Sequence, residues 1–296
     1  MDALAFSLKT MCQHNADGSR MTQAQRARGL GLLAEELRRY GFRLPDAQSL
    51  KPKHVNRLVR EWQAAGLEPG TIKNRLAWLR WWAMKVNKPG LIPRESADLG
   101  VATKTTFKGD RANVIALDAW KAVPDPRMQL AIRLQRAFGL RVEESCKFIV
   151  SEADKGGFLA LRPSWTKGGR FRTIPVVTAS QRALLEEVRR VCGEGSLIPD
   201  HLDFIQFRKR LDHASLKAGI ANKHSLRHWY AQWRYRTLSG GVLAPAAGGP
   251  CHDGLSAAER DRLDAVRMAV SAELGHGRLD VTDAYLGGRW AGKAKR

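Results

Sequence analysis

Apolar residues along the first ninety positions recur at helical intervals rather than in alternation. Over residues 19–41, Ser19 stands where an N-cap belongs, Leu30, Leu33, Leu37 and Tyr40 line one side, and Gly41 closes the run, so the pattern predicts an amphipathic helix. Pro52 suits the first turn of a second helix, where its missing N–H would have no partner anyway; Val55, Leu58, Val59 and Trp62 follow, and Gly66 ends it. A third helix beginning near Thr71 carries Ile72, Leu76, Leu79 and Trp82 on one side. Together these predict a small helical domain over residues 1–88. From 89 to 112 the periodicity stops among Pro89, Gly90, Pro93, Gly100 and Gly109, which reads as an interdomain linker.

Residues 113–296 predict a second domain, mostly helical with a small sheet. Helices are expected near 127–138, 143–149, 180–191 and 203–217. Two strand-like runs, 158–162 and 172–177, are joined through Thr166-Lys167-Gly168-Gly169-Arg170, whose glycines suit a tight turn. Residues 238–254 hold five glycines and two prolines and read as a flexible surface insertion; Ser256 and Glu259 then make a capping box for the next helix. The expected fold class is mainly α with a small β-sheet (α+β), in two domains.

Composition narrows the partners. The chain has 296 residues, room for two domains, and 50 Lys plus Arg against 29 Asp plus Glu give a formal charge of +21. An excess of that size points to nucleic acid. Cys12, Cys146, Cys192 and Cys251 are scattered, as expected of reduced thiols, and no His or Cys spacing, Cys251-His252 included, fits a metal site. No metal or cofactor is expected. The start lacks a secretory pattern and no run is long enough to span a membrane, so a soluble cytoplasmic protein associated with the nucleoid is expected.

Residues 51–88 hold nine Lys or Arg and only Glu61 and Glu68 as acids, interleaved with Trp62, Trp78, Trp81 and Trp82. At helical spacing the tryptophans are core positions more often than ligands, so the charges are the better evidence. Lys51, Lys53, Arg57, Arg60, Lys73, Arg75 and Arg80 are the candidate DNA contacts. Gly29-Leu-Gly31-Leu-Leu-Ala34 imitates a nucleotide-binding glycine pattern but falls inside a helix without a preceding strand, and is set aside.

Chemistry is concentrated in an ordered series in the second domain. Phe138-Gly139-Leu140-Arg141-Val142-Glu143-Glu144 puts an Arg between one helix end and the next helix start, where it can meet an anion. Lys167 sits on the hairpin tip. His224-Ser225-Leu226-Arg227-His228 opens a helix, and Leu274-Gly275-His276 is followed nine residues later by Tyr285. Each element alone is common; the four in this order in a basic chain are not.

The series resembles the tyrosine recombinase (phage integrase) family, whose signature is Arg, Lys, His-x-x-Arg, a second His or Trp, then Tyr. The resemblance rests on specific motifs over residues 111–296. Over 1–100 it rests on size, helicity and charge, which are similar to the family's core-binding domain. It implies a catalytic set of Arg141, Lys167, His224, Arg227, His276 and Tyr285, supported by Glu144 and His228. One departure is the 49-residue separation of Arg227 from His276, about twice that expected of compact members, with the surplus falling on 238–254.

The resemblance further implies a 3′-phosphotyrosyl intermediate formed by Tyr285, a phosphate clamp of Arg141 and Arg227, Lys167 as general acid for the 5′-oxygen, and religation without ATP or metal. Its partners would be double-stranded DNA at recombination core sites, a homotetramer formed on that DNA, and an accessory DNA-bending or directionality protein. The process would be integration or excision of a mobile element such as a phage. The rival readings are a type IB topoisomerase and a non-catalytic DNA-binding relative.

Overall fold

The computed structural model describes residues 2–102, 109–112, 115–166 and 168–290, and the chain divides into two compact units, Met1–Lys104 and Thr105–Ala294.

The first unit is built from α1 (Ala3–His14), α2 (Arg20–Arg39), α3 (Pro52–Ala64) and α4 (Pro69–Lys85). Ser19 caps α2 by accepting from the Thr22 N–H at 3.2 Å. The apolar stripe read from the sequence is its core: Leu30, Leu33, Leu37, Val55, Leu58, Trp62, Ile72, Leu76, Leu79 and Trp82 are all buried. Buried indoles need acceptors, and Trp62 donates to Glu36 at 2.8 Å while Trp82 donates to the Ala47 carbonyl at 2.8 Å. Gly29 serves packing, since a Cβ there would lie 2.3 Å from the Trp78 ring. Helix α1 was not foreseen; Leu4 and Leu8, one turn apart, bury it against the others.

The reading of 89–112 as linker needs correction over residues 89–101, while 103–108 lie outside the described residues. Pro89–Leu91 and Ala97–Leu99 form 3₁₀ turns, Ile92 and Val101 are buried in the first unit's core, and Arg80 donates to the Pro93 carbonyl at 2.9 and 3.1 Å. Short 3₁₀ turns carry no 3.6-residue repeat, which is why the pattern there looked structureless.

The second unit contains α5 (Pro126–Phe138), α6 (Val142–Cys146), α7 (Val150–Ala153), β1 (Phe158–Leu161), β2 (Arg172–Pro175), α8 (Ala179–Cys192), α9 (Phe204–Lys217), α10 (His224–Leu238), α11 (Ala257–Glu273) and α12 (Leu279–Leu286). Strands β1 and β2 pair antiparallel, Phe158 opposite Pro175 and Leu161 opposite Arg172. Helix α5 packs between α8 and α10, and α10 also meets α11 and α12, so α10 runs through the middle of the core.

The segment 238–254 is not a free surface spacer. It forms 3₁₀ turns at Pro245–Ala247 and His252–Gly254, buries Ala244 and His252, and bonds the His252 N–H to the Arg289 carbonyl at 2.7 Å. Ser256 caps α11 in the expected box with Glu259.

Candidate active site

Three elements deliver the motif residues to one place. Gly139 ends α5 with φ +60°, and a Cβ there would lie 2.5 Å from the Tyr230 ring, so glycine is required by both conformation and space. The chain then turns sharply and sets Arg141 at the N-cap of α6. Helix α10 begins at His224, which puts His224, Arg227 and His228 on its first turns, and the last turn of α12 sets Tyr285 facing them.

The arginines meet at one carbonyl, that of Leu274, just past the end of α11. Arg172 Nη1 donates to it at 2.6 Å, Arg227 Nη2 donates to it, and Arg141 Nη2 approaches at 3.4 Å. Arg227 is 1% exposed and also donates through Nη1 to the Gly139 carbonyl. Its Nε donates to the Tyr285 hydroxyl at 3.3 Å, and its Nη2 lies 3.4 Å from His276 Nε2. Burial lowers the pKa of its guanidinium from the usual arginine value.

Fully buried Glu144 anchors this cationic cluster. Its carboxylate accepts from the Arg141 N–H at 2.6 Å, from Arg141 Nη1 at 2.8 Å and from Arg172 Nη2 at 2.6 Å. Burial pushes a carboxyl pKa up, but Arg172, Arg227 and Arg141 outweigh it and hold Glu144 below its ordinary value.

Three imidazoles surround Tyr285. His224 Nε2 is 3.2 Å from the hydroxyl, and the His228, His224 and His276 ring centroids lie 4.6, 5.6 and 5.6 Å from the tyrosine ring. Burial, reinforced for His224 and His276 by Arg227 and Arg141, pushes the pKa of His224 down to about 4 and that of His276 to about 3. His228 also falls to about 4, chiefly through burial, and its buried Nδ1 has no hydrogen-bond partner among the described residues. At neutral pH all three rings are uncharged.

The geometry therefore brings together Arg141, His224, Arg227, His276, Tyr285, Glu144 and His228. Lys167 lies outside the described residues; beside it, the Thr166 hydroxyl donates to the Arg170 carbonyl at 2.7 Å. Arg172 was missed. Its signal was available in the alternation of β2, where it shares the inward face with Ile174, but an Arg opening a strand reads as solvent-facing.

The candidate DNA contacts divide. Lys51, Lys53 and Arg60 are exposed and Lys73 is half-buried, while Arg57 pairs with Glu61 at 2.8 Å. Arg75 and Arg80 depart from expectation: Arg75 donates to Glu36 at 2.6 Å beneath the Trp62 ring, and Arg80 is committed to the Pro93 carbonyl and to Ser96. Both hold the first unit together. Among the described residues no cluster of three or more His, Cys, Asp or Glu is placed to hold a metal ion, and no helix is long and apolar enough to cross a membrane.

A hydroxyl beside a neutral imidazole and a ring of guanidinium groups suits attack on a phosphodiester, where negative charge accumulates on phosphoryl oxygens. A family model described as "Phage integrase, N-terminal" matches residues 1–88, and one described as "Integrase" matches residues 100–233. Among solved structures, the chain is similar to a lambda integrase dimer bound to a COC′ core site, with TM-score 0.64 and 16% identity over 99% of this chain and 79% of that one. It is also similar to the Tn1549 transposon integrase in complex with circular intermediate DNA (TM-score 0.55, 14% identity, 96% and 95% covered). A third is the XerH site-specific recombinase bound to palindromic difH substrate (0.57, 14%, 95% and 80%). No curated protein matches the chain.

Proposed function

The chain belongs to the phage integrase family of tyrosine site-specific recombinases, and from that premise we propose that Tyr285 is the nucleophile with which it cleaves and rejoins DNA. The observation that carries this reading is the Tyr285 hydroxyl held between His224 Nε2 at 3.2 Å and Arg227 Nε at 3.3 Å.

The Tyr285 oxygen attacks the phosphorus, the bond to the 5′-oxygen breaks, and the DNA is left joined through its 3′-phosphate to the tyrosine. The phenolic proton passes to His224, whose neutral ring accepts it in spite of the phenol's ordinary pKa of about 10 because transfer accompanies attack. Arg227 has five N–H donors; with two tied to carbonyls and its Nε on the Tyr285 hydroxyl, the edge toward His276 remains for the phosphate. Arg141, the more exposed arginine, supplies the second planar fork. Lys167 gives the proton to the leaving 5′-oxygen, and His276 hydrogen-bonds the phosphate. Religation reverses these steps, since the phosphotyrosyl bond keeps the energy of the phosphodiester.

The substrate is double-stranded DNA at paired core sites. Exchange between two duplexes cuts four strands, so four protomers, one tyrosine per strand, assemble on the DNA. The process served is integration or excision of a mobile element, with an accessory bending or directionality protein setting its course, in the cytoplasm at the nucleoid.

The test is a suicide duplex nicked so that the short fragment bearing the freed 5′-hydroxyl diffuses away. A protein–DNA adduct resistant to detergent and mapping to the Tyr285 peptide is expected. No adduct, or one on another residue, would refute the assignment.

A further inference from the structure

Arg172 is 5% exposed, and both ends of its guanidinium are tied to protein acceptors in segments that carry the site. Its backbone belongs to β2, paired with Leu161 at the end of β1. Its Nη2 donates to Glu144 Oε2 at 2.6 Å and its Nη1 to the Leu274 carbonyl at 2.6 Å. Two residues beyond that carbonyl stands His276. Gly275 has φ +71°, and a Cβ there would lie 3.0 Å from Arg172 Cδ, so the Arg172 stem is packed directly against the turn that presents His276.

Charge explains why this arrangement matters to Arg141. Glu144 is completely buried and shared between two guanidinium groups, Arg141 on Oε1 and Arg172 on Oε2. A buried carboxylate with one partner removed takes more from the partner that remains. Without Arg172, Glu144 would draw the Arg141 fork into a two-point pair and turn it away from a phosphate. With Arg172 present, Oε2 is occupied and Arg141 keeps an outward edge.

We propose that Arg172 is a positioning residue for strand cleavage: by bridging Glu144 and the Leu274 carbonyl it keeps Arg141 and His276 directed at the phosphate. The inference rests on the assignment of Tyr285 as nucleophile. A residue that merely stabilised the fold would leave a different signature, because its loss would not depend on Glu144.

The experiment compares wild-type protein with Arg172→Met, Arg172→Lys, Glu144→Gln and the double variant Arg172→Met/Glu144→Gln, in full-length chains whose thermal unfolding is checked first. DNA affinity and single-turnover cleavage are read on the same suicide duplex. Arg172→Met should slow cleavage on the order of 10- to 100-fold, less than loss of a group that touches the oxyanion, with affinity nearly unchanged. In the Glu144→Gln background the same change should cost only about threefold, the share lost with the His276 turn, because the charge that captures Arg141 is gone. Arg172→Lys keeps the charge and should recover part of the rate, since an ammonium cannot span both acceptors in one plane. Equal losses in both backgrounds, a wild-type rate in Arg172→Met, or full recovery by Arg172→Lys would overturn the proposal. In each of those outcomes the wild-type adduct on Tyr285 persists, which separates them from failure of the nucleophile assignment, where no such adduct forms at all.

Discussion

The Tyr285 hydroxyl lies 3.2 Å from His224 Nε2, although 61 residues separate them in the chain. Helix α12 brings the tyrosine to the first turn of α10, so a proton acceptor stands beside the hydroxyl before any substrate arrives. Tyr285→Phe keeps the ring against His228 and removes only the oxygen. We expect DNA binding within about twofold of wild type, loss of roughly 0.5–1.5 kcal/mol of stability for the hydrogen bonds removed, and no adduct at all. Electrophoretic mobility shift and denaturing gels on one suicide duplex separate these effects; an adduct from the variant would sink the assignment.

The depressed histidines predict how stability responds to pH. The unfolded chain takes up protons near pH 6.5, whereas folded His224 and His228 resist down to about 4 and His276 down to about 3. Above pH 6.5 neither state is protonated at these rings and their contribution is fully present. As pH falls from about 6.5 through the folded pKa values, the unfolded state binds more protons and stability is lost. Thermal melting between pH 8 and pH 5 should show a decline confined to the acid half, shallower in His224→Gln. This window lies above that of Glu144, whose pKa is lowered and whose loss comes at stronger acid. A flat profile from pH 8 to 5 would contradict the shifts.

Much of this was legible in the sequence because the cues are local. Ser19 and Ser256 cap helices through bonds to residues three positions away, and the stripe from Leu30 to Leu37 repeats within one helix. The candidate site was legible for a different reason: Arg141, His224, Arg227, His276 and Tyr285 form an ordered pattern, even though 3.6-residue periodicity says nothing of their meeting. What stayed hidden depends on distant contacts. Ala244 and His252 look like loop residues until Gly287 and Arg289 are brought against their segment. Arg172 was passed over because its two acceptors, Glu144 and the Leu274 carbonyl, lie 28 and 102 positions away.

Gly139 tests the link between backbone geometry and chemistry. Its φ of +60° is costly for alanine, and the added Cβ would meet Tyr230 at 2.5 Å. Left-handed strain of about 1–2 kcal/mol and overpacking of about 1–3 kcal/mol should together destabilise Gly139→Ala by roughly 2–5 kcal/mol. Because the Gly139 carbonyl accepts from Arg227, cleavage should fall even at temperatures where the variant is folded. Denaturant melts and single-turnover rates measured together check both parts, and a stable, fully active variant would show that the turn relaxes.

The packing of 238–254 reverses what a glycine-rich insertion would suggest. A Cβ on Gly287 would lie 2.6 Å from the Ala246 N, so the end of the tyrosine helix rests directly on this segment. Removing residues 245–249 should therefore lower the unfolding temperature of the second unit and reduce cleavage through α12, rather than altering assembly alone. A deletion variant melting like wild type would restore the spacer reading.

Arg227 carries both structural and chemical demands, and its substitution should expose each. Its guanidinium is 1% exposed and satisfies the carbonyls of Gly139 and Leu274 as well as the Tyr285 hydroxyl. Arg227→Ala leaves the Gly139 carbonyl without this donor, at a cost of about 1–3 kcal/mol if nothing replaces it, while the Leu274 carbonyl keeps Arg172. Under the proposed mechanism it also removes a donor to the phosphorane, which should cost roughly 3–4 kcal/mol in the barrier, or on the order of 10²–10³ in rate. The first loss appears in unfolding and the second in single-turnover cleavage of DNA-bound protein below the melting range. Arg227→Lys should recover the charge but reach only one carbonyl, so its rate should stay well below wild type while its affinity for DNA, shared among many Lys and Arg, changes little. If affinity collapses while the bound complex cleaves at the normal rate, Arg227 docks DNA instead of acting on the phosphate.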